Sequence, residues 1–131
     1  MGRRARAQGL GTVYVTNGYI TEEALRELAP MLSAYRVDIK AFSEEFYKKT
    51  CGARLQPVLD SAQLARELGM HVETITLVIP GLNDSMEEME ALIRWVIDQL
   101  GRGGQRRLRL GGVRGRRDVE QAVGDPQGHV A

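Results

Sequence analysis

Cysteine is almost absent from this 131-residue chain: there is one, Cys51. That excludes an internal disulfide framework and fits a reducing compartment. Aromatic residues are scarce too, with two Phe, one Trp and four Tyr, so a core must rest on Leu, Val, Ile and Ala. No apolar run reaches the roughly 18–20 residues of a membrane-spanning helix. The basic start, Met1-Gly2-Arg3-Arg4-Ala5-Arg6, leads into no apolar stretch of secretory-signal type. The expectation is a cytoplasmic protein with no membrane partner. Neither a Walker nor a dinucleotide-type glycine loop occurs, and His71 and His129 form no zinc-ligand spacing with Cys51 or each other.

What is present divides by charge. The net charge of +1 hides an acidic middle, residues 12–100, and basic ends. The C-terminal stretch is rich in Arg and Gly and follows abruptly on a well-formed helix pattern. Three segments result: 1–11 as the end of a helix, 12–101 as the folded unit, and 102–131 as a disordered Arg/Gly-rich tail. The tail carries no interleaved aromatic residues, so only its charge speaks for nucleic acid.

Within the middle segment, Thr12-Val13-Tyr14-Val15-Thr16 reads as a strand, followed by Asn17-Gly18. Thr21 caps a helix over residues 22–33. A second strand spans Arg36 to Ala41, and Ser43 caps a short helical stretch that Gly52 ends. Pro57 lies in the first turn of the next helix, and Gly69 stops it. Val72 to Ile79 is the strongest strand, terminated by Pro80-Gly81. Ser85 and Glu88 have capping-box spacing ahead of an amphipathic helix through Leu100. Strands alternating with helices imply a parallel sheet, here three strands of an α/β fold.

Parallel strands covered by helices are nearly continuous apolar runs. Asp38 and Lys40 break that rule two residues apart, so both project from one face. They mark either a ligand site at the carboxyl end of the sheet or a solvated ion pair on an edge strand. Thr16-Asn17-Gly18 is either a plain turn or one that brings backbone against a ligand. Glu73 lines the same face as Ile75 and Leu77, or sits at a wet strand start. Cys51 alone cannot hold an iron–sulfur cluster, which needs three or four thiolates.

Four stretches carry a resemblance: Val13 to Ile20, Val37 to Phe42, Phe46-Tyr47-Lys48 with Cys51-Gly52, and Leu77 to Asp84. Together, in this order, they resemble radical S-adenosylmethionine (radical SAM) enzymes related to the activating enzymes of pyruvate formate-lyase, and most of all the radical SAM member of the AmmeMemoRadiSam system. The resemblance implies a (β/α)6 partial barrel of which this chain carries strands three to five. It implies a 4Fe-4S cluster held by a Cys-x3-Cys-x2-Cys loop, and cleavage of S-adenosylmethionine to a 5′-deoxyadenosyl radical that takes hydrogen from a substrate, in some relatives a protein. Thr16, Asn17, Asp38, Lys40 and Leu77 match positions on the S-adenosylmethionine side of the barrel, with Lys40 placed to meet a carboxylate. No catalytic or metal-binding residue is transferred.

Departures accompany the match. The cysteine motif and the second-strand Gly-Gly-Glu-type stretch are missing. Val15 stands where activating enzymes carry an acidic residue, and Ile75 where they carry an arginine. The chain is therefore expected to be an inactive fragment of such an enzyme, without a cluster of its own. Two alternatives stand beside it: a Schiff-base aldolase-like barrel using Lys40, and a non-catalytic module docking nucleic acid through the Arg-rich tail.

Overall fold

A computed structural model describes residues 1–101 and the backbone of residues 107–112. A short helix α1 (Gly2–Ala7) leads to β1 (Val13–Thr16), α2 (Glu22–Leu28) and β2 (Ala34–Asp38). A helical turn α3 (Glu44–Phe46) continues as a wider π turn over Tyr47–Cys51. Then come α4 (Leu55–Glu67), β3 (His71–Val78), α5 (Met86–Trp95) and β4 (Arg107–Gly112). The strands lie side by side in chain order and every neighbouring pair is parallel. Val37 pairs with Thr16 on one side and Thr74 on the other.

The three expected strands and their direction are thus present. The fourth is additional: residues 107–112, within the segment expected to be a disordered tail, pair with Glu73–Val78 of β3. A free strand edge is a row of unpaired backbone donors and acceptors, and β-ladder pairing can recruit a segment whose composition alone gives no strand signal. The rest of 102–131, where a nucleic-acid arm was weighed, lies outside the described residues.

Capping fixes where the helices begin. Thr21 Oγ1 accepts from the Ala24 amide, Ser43 Oγ from Phe46 and Ser85 Oγ from Glu88. The helix expected over 22–33 stops at Leu28 and tightens to a 3-10 turn over Ala29–Met31. Pro30 accounts for this, having no N–H to continue the α-helical ladder. The expected capping box at Ser85 forms only in its first half. Glu88 sends its carboxylate across to the Phe42 amide, 2.7 Å away, instead of back to its own helix start.

The pleat sorts residues onto two faces. Tyr35, Val37 and Ile39 point toward the helices, are fully buried, and pack in one cluster with Leu25, Val58, Ala62, Leu92 and Val96. Each such aliphatic side chain contributes about 1.5–3 kcal/mol of burial energy. Two of the polar side chains on this face find partners, while the buried Thr74 hydroxyl has none among the described residues. Tyr35 donates to Ser61 Oγ (3.0 Å), which donates to the Val58 carbonyl, and Thr76 Oγ1 donates to the Ile39 carbonyl at 2.7 Å. Among the described residues no helix covers the opposite face: Val13 and Val15 are 59% and 68% exposed, and Leu77 is 50% exposed.

Candidate functional site

The candidate site lies at the carboxyl ends of β1, β2 and β3, where each strand stops for a specific reason. The second strand, expected to run to Ala41, leaves the sheet ladder after Ile39, whose amide still reaches the Ile75 carbonyl. The Lys40 amide donates instead to the Tyr47 hydroxyl (3.0 Å), and the Lys40 carbonyl accepts from Asn83 Nδ2 (2.6 Å). The third strand ends at Val78 because the Ile79 amide is taken by Asn83 Oδ1 at 2.6 Å.

After β1, the Asn17 side chain accepts from the Tyr19 amide, an Asx turn, and Thr16 Oγ1 accepts from the Gly18 amide. Gly18 has φ +75°, and a Cβ there would lie 2.6 Å from Val37 Cγ2 and 2.8 Å from Val58 Cγ1. The glycine therefore serves the core: it lets the turn press onto β2 and α4.

Asp38 and Lys40 form an ion pair at 2.7 Å on the face away from the helices, with side chains 37% and 44% exposed. Asp38 is the last residue of β2, an inner strand between β1 and β3, and Lys40 lies just past its end, so the edge-strand reading of the pair does not apply. Asp38 Oδ2 takes the lysine; Asp38 Oδ1 is shielded from water and has no hydrogen-bond partner among the described residues. Deeper on the same face, Arg36 Nε stands 3.9 Å from Glu73 Oε2. Glu73 thus faces away from the helices and pairs across the strands.

A cleft of about 520 Å³ opens at this rim. Asn17, Asp38, Lys40 and Leu77 all line it, and so do Tyr47 and Ile79. Thr16 does not: its hydroxyl is turned inward onto the Gly18 amide. The segment between β2 and α4 supplies much of the wall through Phe46, Tyr47 and Cys51. Burial pushes the Tyr47 hydroxyl up to about 12, against a smaller lowering from its bond with the Lys40 backbone. It therefore stays a neutral phenol at physiological pH.

Asn83, Tyr47 and Glu88 were given no role at the site by the sequence, although Tyr47 lay in a motif stretch and Glu88 in the expected capping box. Asn83 lay in the quoted Pro-Gly-Leu-Asn-Asp stretch, yet an asparagine in a turn is ordinary. Only its burial, at 1% exposure, marks it out.

A model of the radical SAM superfamily matches residues 2–96. The chain belongs to the radical SAM superfamily. It is 43% identical over 98 residues to an uncharacterized protein of Methanocaldococcus jannaschii, covering 75% of this chain and 28% of that protein. It is 31% identical over 96 residues to the isethionate sulfite-lyase activating enzyme of Desulfovibrio desulfuricans, covering 72% and 31% respectively. This radical SAM chain thus spans roughly three-tenths of the length of those relatives.

Among solved structures, a domain of a pyruvate-formate lyase-activating enzyme from Bacteroides vulgatus superposes with a TM-score of 0.67 at 14% identity, over 75% of this chain and 61% of that one. SuiB of Streptococcus suis, solved with S-adenosylmethionine bound, superposes with a TM-score of 0.70 at 12% identity, over 93% and 30%. At such identities these likenesses establish the fold: a piece of the radical SAM (β/α) barrel.

A 4Fe-4S cluster does not fit this chain, because three or four thiolates are required and Cys51 stands alone. S-adenosylmethionine fits better. The cleft offers apolar surface at Leu77, Ile79 and Phe46 for a ring and a lysine for a carboxylate.

Proposed function

We propose that this chain forms the S-adenosylmethionine-facing wall of strands three to five in an activating-enzyme-like radical SAM enzyme, whose substrate is a partner protein. The observation that carries it is the convergence of Asn17, Asp38, Lys40 and Leu77, distant in sequence, on one cleft at the carboxyl rim of a parallel sheet. A named activating enzyme among the relatives supports the protein substrate. When bound, S-adenosylmethionine supplies a sulfonium whose reductive opening is the hard chemistry of the family.

The chain's own residues bind and orient. Lys40 meets the ligand carboxylate, and Asp38 holds the lysine head toward the cleft through its Oδ2. Leu77 and Ile79 offer the apolar surface against which the adenine lies, and the Asn17 turn forms the β1 side of the cleft. No reductive step is assigned to this chain, whose residues do not supply a cluster.

The Schiff-base alternative fares worse. A reactive amine of that kind is desolvated in an apolar pocket or set beside another cation, whereas Lys40 is half exposed and ion-paired with Asp38. The test of the main reading is S-adenosylmethionine binding to the 131-residue chain by isothermal titration calorimetry. Saturable binding, weakened about tenfold or more by Lys40→Met through loss of a charge-assisted contact, is expected. A wild-type chain with no detectable binding, or a Lys40→Met chain with wild-type affinity, contradicts it.

A further inference from the structure

We propose that Asn83 is a positioning residue for this cleft: its buried carboxamide locks the ends of β2 and β3 together and so sets where Lys40 stands opposite Leu77. The inference deepens the reading of the cleft as an S-adenosylmethionine site and rests on it. Asn83 comes from the loop after β3, points inward, and is 1% exposed. Both ends of its amide are used. Nδ2 donates to the Lys40 carbonyl at 2.6 Å and to the Leu77 carbonyl at 2.9 Å, and Oδ1 accepts from the Ile79 amide at 2.6 Å. A primary amide offers two N–H donors and a carbonyl acceptor, so every donor is committed, and committed to backbone.

The three backbone groups belong to Lys40, Leu77 and Ile79, and all three residues line the cleft. Beyond Ile39 and Ile75 the backbones of β2 and β3 no longer pair with each other, so the amide takes over where the ladder stops. No other side chain of similar size makes the same set: Asp lacks the donors and Leu lacks everything polar. The Lys40 peptide is gripped from its other side by the Tyr47 hydroxyl. Two residues on, the Phe42 amide is bound by Glu88 at the start of α5. The segment carrying Lys40 is therefore fastened at the Lys40 carbonyl, the Lys40 amide and the Phe42 amide by three side chains, those of Asn83, Tyr47 and Glu88. Rigid support of this kind is what holds a binding side chain at its working geometry.

Asn83→Ala and the near-isosteric Asn83→Asp test this on the full chain, with two readouts. The first is hydrogen exchange of the Lys40 amide by NMR. That proton bonds to Tyr47 and not to Asn83, so its protection changes only if the asparagine holds the whole segment in place. Exchange about tenfold faster or more is expected. The second is the dissociation constant for S-adenosylmethionine, expected to rise about tenfold or more. Leu100→Ala, in the core at the far end of the α5 extension, serves as a destabilised control with unchanged affinity. If Asn83→Ala does not fold, Asn83→Asp, which keeps the shape and Oδ1, takes its place.

Wild-type Lys40 exchange in the folded variants overturns the clamp. Faster exchange with unchanged affinity overturns the positioning role while leaving the clamp as structure. A wild-type chain that binds no S-adenosylmethionine overturns the proposed function instead, and the exchange readout still decides whether Asn83 holds Lys40.

Discussion

Replacing Gly18 with alanine puts the packing argument to a quantitative test. At φ +75°, an L-residue meets a backbone penalty of about 1–2 kcal/mol. The new Cβ also lands 2.6 Å from Val37 Cγ2, 2.8 Å from Val58 Cγ1 and 3.2 Å from Ser61 Oγ. Val37 and Val58 are 0% and 1% exposed and cannot swing aside, so overpacking adds about 1–3 kcal/mol. The total, about 2–5 kcal/mol, is a large part of the roughly 5–15 kcal/mol that holds a typical domain folded. Gly69→Ala is the matched control. Its φ is +83° but nothing lies within 4 Å of the added Cβ, so only the backbone part applies, about 1–2 kcal/mol. Urea unfolding of both variants, followed by circular dichroism, separates the two contributions. Equal losses at positions 18 and 69 would refute the claim that the Asn17-Gly18 turn is wedged against β2 and α4.

Lys40→Met is expected to weaken S-adenosylmethionine binding while changing unfolding free energy by less than about 1 kcal/mol, since a half-exposed ion pair is worth little to stability; a Tm series beside the titration checks this. Anaerobic reconstitution of the chain with iron and sulfide is expected to give no stable 4Fe-4S absorbance, because one thiolate cannot chelate the cluster; a stable, stoichiometric cluster overturns that expectation. Tyr47 predicts an alkaline stability loss. Its folded-state value is raised from 10.0 to about 12, so the unfolded chain releases the phenolic proton first. Stability is unaffected by this group below about pH 10 and falls as pH climbs toward 12. Tyr47→Phe is expected to flatten part of that slope in denaturant titrations, the raised Tyr35 hydroxyl supplying the remainder. Glu88→Gln is expected to cost about 1–2 kcal/mol in the same assay, by replacing a charged acceptor for the Phe42 amide with a neutral one.

Much of the fold was legible before any coordinates. Element order, the parallel direction of the first three strands and the placement of Asp38 and Lys40 on one common face all follow from periodicity, caps and the two-residue pleat. Those signals are local, and each is written within a few consecutive residues. Boundaries were less legible where a distant group intervened. The second strand ends before Ala41 because Tyr47 and Asn83 claim the Lys40 peptide, and the expected capping box gives way because Glu88 finds Phe42.

Sequence alone determined the order of the first three strands and their helices, which of their side chains share a face, and that one cysteine cannot hold a cluster. Tertiary structure decided the rest: that Asn17, Asp38, Lys40 and Leu77 meet at one cleft while Thr16 turns away, that Asn83 is a clamp, and that residues 107–112 extend the sheet. The physical reason is range. Capping, pleat and helical period act between near neighbours, whereas a buried amide or a free strand edge selects its partner only when the folded chain brings the two together.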